Sequence, residues 1–271
     1  MRSAEPATVL RTAEDAGCSP EEHCGSNSIR GVVPSTSHET SYSWVLQSLL
    51  ILLSVIAGST DTIGFFELDG LFTAHITGNL VVLAAHLFEG GDTQTAKMLS
   101  VPVFVLTINL AVVLAAGLKK VGCRPLCPLL LLELALLLAF LLLTVATDPR
   151  INSNTTSAIV AGMLGVSAMA IQNVLVQISF KGAPSTAVMT TNVTRAAIDI
   201  GDMLLGRYAT DRSETRKRVM RTLPVIVGFA VGCGLGVGCE AALGLWSLVL
   251  PAGLALFACA IALAAPGDAQ V

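Results

Sequence analysis

The chain has 271 residues, 53% of them hydrophobic and only 13% charged, with a net charge of −3. Soluble domains carry roughly 25% charged residues, so this composition belongs to an integral membrane protein. The acidic balance excludes nucleic-acid binding, which needs a basic face, and 5% aromatic residues leave little material for aromatic ligand cages.

Residues 1–43 form a polar tail with three Lys/Arg against six Asp/Glu. It lacks the apolar core of a secretory signal, and its acidity does not fit a mitochondrial presequence. Nothing in it offsets the entropy of folding, so disorder is expected. From Trp44 on, apolar runs dominate. A crossing takes about 20 mostly apolar residues, and on that length eight segments are expected: 44–66, 70–88, 98–118, 126–147, 156–179, 184–206, 222–238 and 246–265. The segments 70–88 and 184–206 are unusually polar. A barrel would show short alternating segments instead. The expected fold is all-α, a polytopic transmembrane bundle over 44–265, followed by a short tail at 266–271.

The connection 207–221 carries six Lys/Arg against two Asp/Glu and should face the cytoplasm, near anionic lipid headgroups. With eight crossings both termini are then cytoplasmic, as is 148–155, and the "NTT" acceptor at Asn154 stays unglycosylated. One loop conflicts: 119–124, with three basic residues, falls outside. Either the six-charge loop outweighs it, or one polar segment does not cross. Seven cysteines include the pair in "CRPLC" at 123–127, but no second Cys/His pair accompanies it, so buried thiols are expected rather than a metal site. In "GFAVGCGLGVG", Gly228, Gly232 and Gly236 recur every fourth residue, a spacing that lets membrane helices approach closely.

The polar segments show an internal correspondence. "AGSTDTIGFF" (57–66) can be laid on "AMAIQNVLVQ" (168–177), pairing Asp61 with Gln172, which Asn173 follows. "FTAHITGN" (72–79) then falls on "MTTNVTRA" (189–196), pairing Thr73 with Thr190, His75 with Asn192 and Thr77 with Thr194. Four segments separate equivalents, an even number, so the halves (about 44–147 and 156–265) are expected to run parallel across the membrane. "AGSTDTIGF" followed by "LFTAHITGN" (with Thr77, Gly78 and Asn79), then "AIQN" and "TTNVTR", resembles the YoaK-like membrane proteins, domain-of-unknown-function family 1275. The resemblance covers roughly 44–265 and implies a multi-spanning fold without supplying a substrate; the tail lies outside it.

Two readings fit the polar residues. Asp61, Thr73, His75, Thr77 and Asn79, with Gln172, Asn173, Thr190, Asn192, Thr194 and Arg195, could line one solute site between the halves. Alternatively they are interhelical glue, at about 0.6 kcal/mol for each hydrogen bond. His75 and His86 are about 16 Å apart along a helix, too far to share an ion. Arg195, Asp199 and Asp202 share a helix face at i, i+4 and i+7, either as a salt bridge or as a charge relay. Glu133, central in "LLLLELALLL", must face the bundle or lose its charge, and Arg195 is its most economical partner. No Gly-x-Ser-x-Gly, Walker loop or His-Glu-x-x-His is present, so an enzyme is not expected, nor a cofactor. Expectation divides between a small-solute carrier and a non-transporting scaffold or sensor.

Overall fold

In a computed structural model the described residues, 36–88, 95–150, 152–180, 182–206 and 212–264, are helical apart from short links. The tail through residue 35, the link 207–211 and the C-terminal 265–271 lie outside them, as do the side chains of 36–44 and His86. The order is α1 (Thr36–Glu67), α2 (Ile76–Phe88), α3 (Thr95–Lys120), α4 (Leu126–Thr147), α5 (Thr156–Ser179), α6 (Met189–Leu205), α7 (Arg212–Leu243), a 3₁₀ turn (Gly244–Trp246) and α8 (Val249–Ala264). Among the described residues, five helices are long and apolar enough to cross a membrane: α3, α4, α5, and those covering Val45–Glu67 and Arg212–Trp246.

The two polar segments do not form single spanning helices. Residues 68–75 are largely non-helical before α2, which has 13 residues, and 180–188 are non-helical before α6, which has 17. Both helices fall short of the roughly 20 residues a crossing requires. The first break starts where Asp69 and Gly70 take positive φ (53° and 80°). The Gly70 N–H then closes on the Phe65 carbonyl at 2.8 Å, and the chain turns back on α1.

Helix α1 runs parallel to α7 and antiparallel to α5. Gln47 donates to the Met220 carbonyl (3.2 Å), Gly232 faces Val55, and Gly236 faces Ser59. Gln172 donates to the Leu53 carbonyl (2.9 Å), while Gly162 meets Leu68 and Leu71. The starts of α3 and α5 meet the end of α1: Lys97 donates to the Asp69 carbonyl (2.8 Å) and Ser153 to its carboxylate (3.2 Å). The bundle therefore has a near end, where α1 and α7 begin, and a far end, where they finish beside 148–155. The central helices are α1 and α5, each with 67% of its apolar window buried, against 11% for α3. Most of the core joins α1, α4, α5 and α8 through residues such as Leu53, Leu130, Met169 and Ala255; Ile63, Leu71, Phe140 and Leu248 form a smaller cluster. Apolar side chains such as Val105, Leu106 and Leu110 on the outer face of α3 are exposed.

Candidate functional site

The first break is held inside the bundle by Asp61, which is 5% exposed. Its Oδ1 accepts from the Ala74 N–H (2.7 Å), the His75 N–H (3.4 Å) and Thr73 Oγ1 (3.4 Å), and its Oδ2 meets His75 Nδ1 at 2.6 Å. A carboxylate suits this place because 71–75 runs back along α1 and presents donors that no helix satisfies. The His75 ring also stands edge-on to Phe229 of α7, with centroids 5.4 Å apart. Asn79, in the first turn of α2, both accepts from the Phe72 N–H and donates to its carbonyl, each at 2.8 Å. That double bond folds α2 back beside the link.

The second break repeats these contacts with other residues. Gln172 of α5 donates through Nε2 to Thr186 Oγ1 (2.8 Å), and Asn192, in the first turn of α6, donates to the Ser185 carbonyl (2.6 Å). In both breaks an Asn reaches back seven residues to a carbonyl, and the next residue is a Thr bonded to the polar side chain of a central helix. By these contacts Thr73 corresponds to Thr186 and Asn79 to Asn192, an offset of four residues from the expected pairing of Thr73 with Thr190 and His75 with Asn192. One difference separates the two: Gln172 Oε1 is buried with no donor among the described residues, whereas both Asp61 oxygens are engaged. The breaks occupy two levels, since Gln172 docks at Leu53 and Leu53 lies about 12 Å along α1 from Asp61.

Other expected site residues are not gathered here. Thr77, Thr190, Thr194 and Arg195 are exposed, and Thr194 bonds its own helix at the Thr190 carbonyl (2.9 Å). Asn173 likewise donates to the Met169 carbonyl (2.9 Å). Asp199 pairs with Arg218 of α7 (3.0 Å) instead of Arg195, because the face it shares with Arg195 turns partly toward α7. Asp202 is partly buried near the α6 terminus, where its carbonyl accepts from Gly206. Glu133 is fully buried with neither oxygen hydrogen-bonded among the described residues, and it does not meet Arg195, which lies on the outer surface. Gly228, Gly232 and Gly236 are buried against Ile51, Val55 and Ser59 of α1.

Ser185 and Thr186 were absent from the expected set, although the sequence carries a signal for them. "FTAHITGN" and "STAVMTTN" (185–192) share Thr, Ala, Thr and Asn at the same offsets. A far-end ion cluster joining Glu67, Arg150 and Glu240 has no such local signal.

No curated protein and no solved structure matches the chain. A family model does, over residues 49–261, and the chain belongs to that family, described as Protein of unknown function (DUF1275).

Proposed function

We propose that the chain is a small-solute carrier built from two inverted halves, 44–147 and 156–265, with the interrupted segments as its working parts. The observation that carries this reading is the pair of breaks, each tied by Thr and Asn to a polar side chain of a central helix. Non-helical backbone at membrane depth is tolerated only where protein buries it or it lines a cavity. Carriers place such discontinuous helices around their substrate.

The two breaks open from opposite ends. The first follows α1 at the far end. The second follows α5 at the near end, and α6 returns there, since its Asp199 reaches Arg218 near the start of α7. A segment that enters and returns adds no crossing. From the start of α1 to the start of α5 the chain then makes three crossings, α1, α3 and α4, an odd number that inverts the second half. The parallel arrangement expected from the sequence counted 70–88 as a fourth. Helix packing accords with exchange of the halves: α1 packs on α7 as α5 does on α3, and α4 on α5 as α8 does on α1.

Charge supports the orientation. The near end carries Lys119, Lys120, Arg124, Arg212, Arg216, Lys217, Arg218 and Arg221, against Lys97 and Arg150 at the far end among the described residues. The near end and both termini are then cytoplasmic, with 212–221 facing anionic headgroups. The loop 119–124 no longer conflicts, and 148–155 becomes extracytoplasmic. No catalysis enters this reading.

A scaffold reading draws on Asn79, whose double bond to Phe72 leaves its amide little capacity for a ligand. Purified full-length protein in liposomes, tested with a panel of small polar solutes, decides between them. A carrier gives saturable uptake that Asp61→Asn abolishes while folding normally. Uptake absent across the panel leaves the scaffold.

A further inference from the structure

Glu133 of α4 is completely buried, and neither of its oxygens has a hydrogen bond among the described residues. Of the elements packed on α4, α5 and the 3₁₀ turn contain no titratable residue, and α8 contributes Cys259, a thiol and not a counter-charge. A lone carboxylate at that depth is costly, and a bound proton removes the charge. A second unpartnered group stands on the same level. A Cβ at Gly165 of α5 would meet the Phe140 ring of α4 at 3.0 Å. The two helices are antiparallel, so Glu133, seven residues before Phe140, is level with Gln172, seven residues after Gly165. The Leu53 carbonyl can only accept, which fixes Gln172 Nε2 on its side with Thr186; Oε1 is left buried with no donor among the described residues. Thr186 belongs to the second break, which opens at the near end, and Glu133 lies about 10 Å along α4 from its near-end start at Leu126.

We propose that Glu133 is the proton-binding site of the carrier, loaded from the near end by way of the second break, with Gln172 coupling the proton to that break. A protonated Glu133 has an O–H to give, and Gln172 Oε1 is the acceptor in need of one. Such a bond leaves the Gln172 amide on Leu53 and Thr186, so proton occupancy favours the break in its held position. Release of the proton to water at the near end leaves a carboxylate facing an acceptor; the two repel, and the break is loosened. The inference rests on the carrier reading and names its coupling ion, but proton occupancy is measurable without transport.

The test records infrared difference spectra of full-length protein in nanodiscs across a pH titration, with the carbonyl stretch of a protonated carboxyl as the signal. A band that disappears reversibly as pH rises is expected in the wild type and not in Glu133→Gln; Glu133→Leu serves if that variant fails to fold. Gln172→Met, close in volume, should weaken proton binding about three- to tenfold, because a net hydrogen bond to the neutral acid is lost. A wild-type signal that survives removal of Glu133, or a Glu133 band that never titrates, would overturn the proposal. So would an unmoved midpoint in Gln172→Met, or loss of the band at fixed pH when sodium chloride replaces potassium chloride, which would make this a cation site. A titrating Glu133 without uptake of any solute removes the carrier reading and leaves the site; saturable uptake whose pH dependence is unchanged in Glu133→Gln removes the site alone.

Discussion

Two glycines two residues apart on α7 should respond to the same substitution with opposite signs. A Cβ at Gly232 would lie 2.3 Å from the Val55 carbonyl oxygen and 2.9 Å from Val55 Cα, both backbone atoms of α1. Ordinary contact begins near 3.4 Å, so Gly232→Ala requires the helices to part by about 1 Å, straining a well-packed seam. Overpacking of that kind costs about 1–3 kcal/mol, while alanine returns about 1 kcal/mol of helix propensity. The net expectation is a loss of up to about 2 kcal/mol. At Gly234 nothing lies within 4 Å, so Gly234→Ala should keep the propensity gain and stabilise by up to about 1 kcal/mol. Gly58→Ala, whose Cβ would meet the Phe229 carbonyl oxygen at 2.2 Å, should behave like Gly232→Ala from the other side of the seam. The assay is the melting temperature of detergent-solubilised protein, read as monodisperse material surviving a heating ramp. Equal shifts at 232 and 234, or a more stable Gly232→Ala, would refute the backbone contact between α1 and α7.

Exposed Cys123, in the turn between α3 and α4, should resist an impermeant maleimide applied from outside intact cells, whereas Asn152→Cys should react; labelling of Cys123 would restore the eight-crossing arrangement. Asp61→Ala and His75→Ala should each lower the melting temperature, and the double variant should lose less than their sum; strict additivity would show that the contact between them contributes nothing. Glu133→Leu should raise the melting temperature, because a central carboxyl with no hydrogen bond carries a penalty on the order of 2.5–3.5 kcal/mol on insertion scales; a fall would reveal a partner for it.

Hydropathy and local chemistry alone established the helical membrane bundle, because an unbroken apolar run of spanning length has few other stable forms. For α4 and α5 even the limits, 126–147 and 156–179, agree with the expected segments, since Pro125 precedes one helix and Thr155 caps the other by accepting from the Ala158 N–H. The glycine spacing on α7 similarly announced a close approach, although not that α1 was the partner. What only the tertiary structure decided is direction. A hydropathy window cannot distinguish a segment that crosses from one that enters and turns back, because both are apolar on average. The turn-back depends on Asp61 and Gln172, whose partners lie 12 to 14 residues away. A related limit concerns register: strings rich in Thr and Asn align at several offsets, and the offset at which Asn79 and Asn192 make like hydrogen bonds is not legible from the strings alone. Arg195 and Glu133 do not meet despite their opposite charges, one exposed and the other buried, since a position along a helix says nothing about which face the bundle encloses. The far-end cluster was invisible for the plainest reason. Glu67, Arg150 and Glu240 come from three distant parts of the chain, and only packing of α1 against α7 beside the 148–155 connection brings them to one guanidinium.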